Sequence, residues 1–198
     1  AIRASGKIDV LINNAGIGGG GALEETPMDD QRQVMETNFF GAIDLTRRIV
    51  PSMRERGSGA ILNVTSMNGL VALAPMMSYT ASKYALEAAT EVLAMELQDF
   101  GVRVALIEPG VVMTPIFEKL SGSVPDMNSP YGKFYSALGR VTARNLESAA
   151  MPESIAGAMQ NAVETSEPRL RYVVGHDANK MVEDRSKMTD EEFDRLLK

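Results

Sequence analysis

Tyr79 and Lys83 are the residues of this sequence whose types and spacing most directly predict chemistry. They lie four apart in a segment rich in Ala, Leu, Met and Glu, so on a helix their side chains emerge from one face, one turn from each other. An ammonium group held near a phenol favours the phenolate, which is expected to lower the tyrosine pKa from about 10 toward the working range of a general acid/base. The same spacing also occurs on solvated helix faces. The surrounding sequence is therefore needed to distinguish a catalytic pair from two solvent-exposed residues.

The sequence around this pair contains three strand-length apolar runs that each end in small or polar residues. These endings are Asn13-Asn14-Ala15-Gly16 after the first run, Ser66 after the second, and Pro109-Gly110-Val111-Val112-Met113-Thr114 after the third. In open α/β sheets, ligands bind outside the carboxyl ends of the strands. Because Ser66 precedes Tyr79 by only thirteen residues, its hydroxyl can meet the start of the Tyr79 helix there. All these segments are therefore predicted to converge on one crevice.

The elements that would position these residues alternate between short strands and long helices. Strands are predicted at 8–12, 60–64, 102–107 and 172–174, and helices over 27 to about 56, 79 to about 99, and 152–165. A capping box, Thr189-Asp190-Glu191-Glu192, predicts a short terminal helix. This alternation indicates parallel βαβ units, so we predict an α/β fold in which one domain, residues 1–198, holds a doubly wound parallel sheet. Right-handed crossovers predict that the four strands lie in the sheet in chain order.

Residues 114–150 are rich in Gly, Pro, Ser and Met and are predicted to be irregular. A segment of this length exceeds an ordinary connection between two elements. Long connections of this kind are usually lids or binding elements, so we interpret residues 114–150 as a substrate lid.

The segment from Gly16 to Gly21 spells G-x-G-x-x-G directly after a predicted strand, the spacing that cradles a dinucleotide pyrophosphate. That fingerprint requires a helix to open within the glycines. Thr26 as a helix cap and Pro27 at the first helical position instead place the helix start several residues later. We therefore interpret the glycines as a flexible turn of small residues that line a site.

Composition excludes several other classes of protein. A net charge of −6 with interleaved signs provides no basic stripe, so a nucleic-acid partner is not expected. The absence of cysteine excludes disulfides and thiolate zinc sites, and with His176 as the only histidine neither a metal site nor a Ser-His triad of ordinary form is expected. The apolar runs fall far short of the roughly 20 residues of a membrane span. We expect a soluble, cytoplasmic protein.

Taken together, the motifs resemble one family. Their order and spacing are those of the classical short-chain dehydrogenase/reductase family, and the C-terminal stretch is similar to members related to 17β-hydroxysteroid dehydrogenases. The motifs are Asn-Asn-Ala-Gly, then Asn38, Ser66, Tyr79-x-x-x-Lys83, and Pro109-Gly110 with Thr114. The resemblance covers nearly the whole chain. It implies a Rossmann-type domain that binds NAD or NADP, a secondary alcohol or ketone substrate on an apolar body, and assembly into a homodimer or homotetramer.

The resemblance also implies a role for each of these residues. Tyr79 would exchange a proton with the substrate oxygen while hydride moves to or from the nicotinamide, and Ser66 would hydrogen-bond that oxygen. Lys83 would bind the nicotinamide-ribose hydroxyls and depress the Tyr79 pKa, while Asn38 would anchor a water that leads from Lys83 toward solvent. The other cofactor contacts would be Asn14, Ala15 and Gly16 on the adenosine side, and Pro109, Gly110, Val112 and Thr114 at the carboxamide.

The sequence also departs from the family pattern, which opens with a strand, a Thr-Gly-x-x-x-Gly-x-Gly turn and two further βα units. No part of this sequence matches them, so we expect a truncated domain that lacks its N-terminal strands and in which strand 8–12 is a bare edge. The choice between NAD and NADP stays open. So do two alternative functions: a catalytically inactive half-domain that acts as a binding or assembly module, and a relative of the sugar-nucleotide epimerases and dehydratases. The lack of a large C-terminal substrate domain disfavours the second.

Overall fold

A single parallel sheet organises the protein, whose computed structural model describes residues 6–114 and 126–197. The strands of this sheet are Val10–Asn13 (β1), Gly59–Val64 (β2), Val102–Pro109 (β3) and Arg171–Val174 (β4). They lie in the order β1-β2-β3-β4, which confirms the predicted order. Within the described residues β1 pairs only with β2, and its Val10 and Ile12 side chains are exposed. The first strand is therefore an edge strand, as expected.

Helices cover both faces of the sheet. In the described parts of the chain they are Met28–Met35 (α1), Gly41–Arg56 (α2), Met77–Leu97 (α3), Gly132–Leu146 (α4), Pro152–Glu164 (α5), His176–Lys187 (α6) and Asp190–Leu197 (α7). A π-helical segment, Glu36–Phe40, joins α1 to α2. Gly57 after α2 and Gly101 after the turn that follows α3 adopt the left-handed conformation, with φ of 68° and 66°, which glycine adopts without strain and which stops a helix. None of the described helices is both long enough and apolar enough to span a bilayer.

Neighbouring residues of β2 bury their side chains on opposite faces of the sheet. Ile61 packs with Met53 of α2 and Leu97 of α3. Leu62 belongs to a second cluster, on the side covered by Ile155 of α5. Because a strand buried on both faces must be apolar along its whole length, this arrangement explains the continuous run 60–64. The predicted α/β fold with a doubly wound parallel sheet is confirmed.

Several predicted elements need correction. The segment 114–150 was expected to be irregular, but it contains α4, while residues 115–125 lie outside the described residues. The helix α6 was not predicted, and His176 is its first residue. Thr26 does not cap α1, because its hydroxyl donates to the Ala22 carbonyl at 2.9 Å; the helix begins at Met28, with Pro27 in the cap position.

The capping box at the terminal helix is confirmed. The Thr189 amide donates to Glu192 Oε2 at 2.8 Å, and the Glu192 amide donates to Thr189 Oγ1 at 3.2 Å. These two reciprocal bonds satisfy amides that the first turn of α7 would otherwise leave free.

A chain of buried side-chain hydrogen bonds links the first two strands to their helices. Asn13 Nδ2 donates to Thr46 Oγ1 at 3.0 Å and to Asn63 Oδ1 at 2.7 Å. Asn63 Nδ2 then donates to Thr90 Oγ1 at 2.7 Å. The buried Asn13 side chain therefore connects β1 to α2 and β2, and through Asn63 to α3. These hydrogen bonds fix the position at which the segment after β1 begins.

Candidate active site

The carboxyl ends of the first three strands meet at one edge of the sheet because the strands are parallel and in register. Asn14, Ala15 and Gly16 are exposed directly after β1, and Ser66 follows β2 by two residues. The helix α3 begins at Met77, so its first two turns carry the tyrosine and the lysine over this edge. These segments therefore lie at the edge of the sheet where the sequence predicts a crevice.

Ser66, Tyr79 and Lys83 lie together in this crevice. The Ser66 side chain lies close enough to the Tyr79 hydroxyl to lower its pKa, and Lys83 Nζ lies 5.7 Å from the centre of the Tyr79 ring. A Cβ atom built on Gly16 would lie 3.6 Å from Lys83 Nζ and 3.4 Å from Asn38 Oδ1. Two hydroxyls and an ammonium group are therefore close enough to act on one bound molecule.

Burial raises the pKa of the half-buried Tyr79 above its usual value, and the nearby Ser66 side chain opposes this shift only in part. This direction is opposite to the one predicted from the spacing of Tyr79 and Lys83. The spacing shows that a cation is near, but it does not show how strongly burial penalises the phenolate. The phenol is therefore the form that the site holds at neutral pH.

Lys83 is buried, with 5% of its surface exposed, and Nζ donates to the Val64 carbonyl at 3.0 Å. Burial lowers the pKa of Lys83 to about 8, while the charge of Glu87, one turn further along α3, acts in the opposite direction. A buried ammonium group at this position is a positive charge in a region of low dielectric, so its effect on nearby groups is stronger than in water.

Asn38 lies in the π-helical segment and is only 1% exposed. Its Oδ1 accepts from the Ile17 amide at 2.8 Å, and its Nδ2 donates to the Ile17 carbonyl and to Ser82 Oγ, both at 3.0 Å. The side chain thus ties the segment after β1 to α3, between the predicted cofactor residues and the Tyr79 helix. The water-anchoring role that the resemblance implies for Asn38 stays a prediction.

The glycine-rich segment after β1 packs against the start of α3. A Cβ atom on Gly19 would lie 2.7 Å from Ser78 Oγ and 3.3 Å from the Tyr79 amide nitrogen, so no larger residue fits. The Gly21 amide donates to the Pro75 carbonyl at 2.7 Å. Because no helix opens until Met28, the segment is a turn of small residues beside the site, as interpreted from the sequence, and does not form a dinucleotide fingerprint.

The segment after β3 is held by backbone and side-chain bonds. The Gly110 amide donates to the Val174 carbonyl at 3.0 Å, and the Val111 amide donates to Asp177 Oδ2 at 2.7 Å. Val112 forms a parallel bridge with Ala150. Pro109 ends β3, and the half-buried Thr114 is the last described residue before the gap. Sequence reasoning missed Asp177, because the contact joins residues 66 positions apart.

The helix α4 contacts the first loop of the site through a tyrosine. Tyr135 Oη donates to Glu25 Oε2 at 2.7 Å and accepts from the Ala22 amide at 2.9 Å. This part of the predicted lid is therefore hydrogen-bonded to the segment after β1. In the parts of the chain that the structure describes, no cluster of three or more acidic or histidine side chains could bind a metal ion.

The neighbouring serine and tyrosine, with a lysine one helical turn away at the sheet edge, agree with the comparison to known families. Residues 1–124 match the short chain dehydrogenase family. The chain belongs to this family. The resemblance predicted from the order of the motifs is thereby confirmed.

Individual relatives show the same similarity. The chain is 39% identical over 179 residues to an uncharacterized oxidoreductase of Bacillus subtilis, an alignment that covers 88% of this chain and 64% of the relative. It is 37% identical to human 17-beta-hydroxysteroid dehydrogenase type 1 over 84% of this chain and 52% of that enzyme. A crystal structure of a short-chain dehydrogenase from Streptomyces avermitilis superposes with a TM-score of 0.83 at 34% identity, covering 94% of this chain and 67% of the other. The chain thus spans between half and two thirds of the length of these relatives.

Proposed function

We propose that the protein is an NAD(P)-dependent oxidoreductase that interconverts a secondary alcohol and a ketone by hydride transfer, with Tyr79 as the acid/base. The observation that carries this proposal is the proximity of the Ser66 side chain to the Tyr79 hydroxyl, with the buried Lys83 ammonium group beside the ring. Family membership supports it.

The two hydroxyls are suited to one substrate oxygen. When a ketone is reduced, Tyr79 donates its proton to the carbonyl oxygen, while Ser66 donates a hydrogen bond that holds the oxygen in line. The raised pKa of Tyr79 favours the phenol, which is the form that can donate. When an alcohol is oxidised, Tyr79 accepts the proton, and the positive charge of Lys83 stabilises the phenolate that must act.

The residues on the sheet edge fit a nicotinamide cofactor. Gly16 has no Cβ beside Lys83, which leaves the backbone and the ammonium group open to a closely approaching ribose. Lys83 would donate to the ribose hydroxyls, and Val112 and Thr114 would hold the carboxamide. NAD or NADP supplies or accepts the hydride when bound.

The substrate that we propose carries its alcohol or ketone on an apolar body. Exposed methionines near the crevice support this, because flexible thioether side chains adapt to apolar ligands: Met77, Met113 and Met127 are each at least 44% exposed. The human relative is named for a hydroxysteroid, which is a secondary alcohol on an apolar ring system.

The test is a Tyr79→Phe variant assayed with oxidised and reduced NAD and NADP against a panel of apolar alcohols and ketones. Since only the proton path is removed, turnover should fall by about 10²–10⁴-fold, while cofactor affinity stays close to that of the wild type. Tyr84→Phe is the matched control, because Tyr84 directly follows Lys83 on the same helix and is 41% exposed.

Two results would contradict the proposal. Retention of more than about a tenth of wild-type turnover in Tyr79→Phe would exclude Tyr79 as the acid/base, on the scale that such groups contribute. Cofactor binding without turnover of any alcohol or ketone would instead support the inactive binding module.

A further inference from the structure

Asp177 is a buried carboxylate that bonds outside its own helix. It is the second residue of α6 and is 6% exposed. Its Oδ2 accepts a 2.7 Å hydrogen bond from the Val111 amide, in the segment that follows β3. Its Oδ1 is buried and has no hydrogen-bond partner among the described residues.

Two glycines make the space that this carboxylate occupies. A Cβ atom on Gly110 would collide with Asp177 Oδ1, and one on Gly175 would lie 2.7 Å from it. Gly175 also has a φ of 112°, a conformation that other residues rarely adopt. The Asp177 side chain therefore fits only because the chain has no side chain on either side of it.

The role of Asp177 differs from that of an ordinary helix cap. An acidic residue in the first turn of a helix usually bonds the free amides of that turn and interacts with the helix dipole. Among the described residues no side chain caps the N-terminus of α6, and the hydrogen bond described for Asp177 goes to the Val111 amide instead. The N-terminus of α6 thus interacts favourably with the negative charge of Asp177. The Asp177 carboxylate itself bonds the segment after β3, which belongs to the candidate active site.

We infer that Asp177 is a positioning residue for the nicotinamide half of the cofactor site. By fixing the Val111 amide, it orients the next residues, so that the Val112 backbone and the Thr114 hydroxyl face the carboxamide. The Gly110 amide, bonded to the Val174 carbonyl, holds the other side of the same turn. This inference rests on the proposed function, because it concerns the same cofactor site.

The test compares Asp177→Ala and Asp177→Asn with the wild type in the purified protein. NAD and NADP affinities are measured by titration calorimetry, and hydrogen exchange is followed by mass spectrometry in the peptide that covers residues 109–113. Loss of a hydrogen bond to a charged group is expected to weaken cofactor binding about tenfold in Asp177→Ala. The loop peptide should exchange faster, and the KM for substrate should stay unchanged.

Asp177→Asn keeps the size of the side chain and an oxygen acceptor for the Val111 amide, so its loss of affinity should be smaller and in the same direction. Asp184→Asn is the matched control, because Asp184 lies on the same helix and pairs with Lys180 at 2.8 Å. This control should leave both the loop exchange and the cofactor affinity unchanged.

The outcomes separate the inference from the proposed function. If the wild type binds neither NAD nor NADP, the proposed function fails and the inference fails with it. If the wild type binds one of them and Asp177→Ala melts earlier with unchanged affinity and loop exchange, only the inference is overturned. If Asp177→Ala does not fold, Asp177→Asn provides the test. Cofactor affinity and loop exchange equal to those of the wild type in Asp177→Asn would then overturn the inference.

Discussion

At the scale of single residues, Lys83 shows how burial sets the charge state of the site. Its pKa lies near 8 instead of near 10.5, because burial penalises the ammonium form more than the charge of Glu87 favours it. The folded protein therefore releases this proton near pH 8, whereas the unfolded chain releases it near pH 10.5. Below pH 8 the charged lysine costs folding free energy, and this cost disappears as the pH rises from about 8 toward 10.5.

This pH dependence of the folding free energy leads to a prediction for Lys83→Met. Between pH 7 and 9.5 the free energy of unfolding of the wild type should rise by about 2 kcal/mol relative to the variant, because the variant has no ammonium group to discharge. Denaturant unfolding at several pH values measures the difference. The range stops below pH 10, where the raised pKa of Tyr79 begins to act in the opposite direction.

Lys180→Met is the control for this prediction, because the Lys180 side chain is 55% exposed on α6. Its unfolding free energy should follow the wild-type pH profile. Parallel profiles for the wild type and Lys83→Met would show that the buried lysine does not discharge in this range.

At the scale of elements, the π-helical segment between α1 and α2 brings Asn38 to the site. An extra residue in a helical turn shifts the side chains that follow it, and such segments are frequent at functional sites. Here the shift lets one amide side chain bond both backbone groups of Ile17 and also Ser82. The glycine-rich loop and α3 are thereby held at a fixed distance.

We predict that Asn38→Ala lowers the free energy of unfolding by about 1–3 kcal/mol, because it leaves buried partners without hydrogen bonds. Turnover should fall as well, because the glycine-rich loop and the Tyr79 helix lose the hydrogen bonds that connect them through Asn38. Gln33→Ala, at an exposed position of the preceding helix, should change neither quantity. An Asn38→Ala variant with wild-type stability would contradict this account of the segment.

A cluster of salt bridges also connects β4 to α3. Arg171 bonds Glu87, Glu91 and the fully buried Glu108. Burial, followed by the charge of Glu87, raises the pKa of Glu108 to about 7, although Arg171 opposes the shift. The raised pKa means that stability is lost as the pH rises from about 4.5 through 7, because the unfolded chain gives up this proton first.

Arg171→Met should therefore destabilise the protein by about 3 kcal/mol, the scale of a broken buried ion pair. The deficit relative to the wild type should grow between pH 5 and 7.5, since Glu108 then ionises without a cation beside it. Thermal unfolding across this range measures it, with the exposed Arg140→Met as control. Adding Glu108→Gln to Arg171→Met should recover part of the loss, and a flat pH dependence would refute the assignment.

The elements also show why sequence reasoning reached some features and missed others. The helix α3 was predicted from apolar residues at helical spacing, and strand β2 from a continuous apolar run of strand length that follows glycine. The helix α6 was missed because few of its residues face the core: Ala178 is buried, and Met181 and Val182 are only partly buried. The helix α4 contains Gly139 and packs only loosely, with Gly132 its single buried residue. Contacts between distant segments, such as Asp177 with Val111, leave no local pattern at all.

At the scale of the whole molecule, the helices α2 and α3 and the π-helical segment present apolar side chains to solvent. The side chains concerned are each more than 40% exposed: Phe40, Leu45, Tyr84, Val92 and Met95. An exposed apolar surface of this kind marks an interaction site. A two-fold axis would pair the same two helices of both copies, which makes a four-helix interface, and the family resemblance implies the same arrangement.

We therefore predict that the protein is a homodimer, or a homotetramer built on this contact, at micromolar concentration. Replacing Leu45 and Val92 together by Asp would place four charges in a two-fold interface, so the variant should be a monomer while its fold is retained, because both side chains are already half exposed. Light scattering gives the mass, and circular dichroism checks the fold. Met151→Asp, at an equally exposed position outside these helices, should assemble like the wild type. A monomeric wild type would instead leave these helix faces exposed to solvent and exclude the four-helix contact.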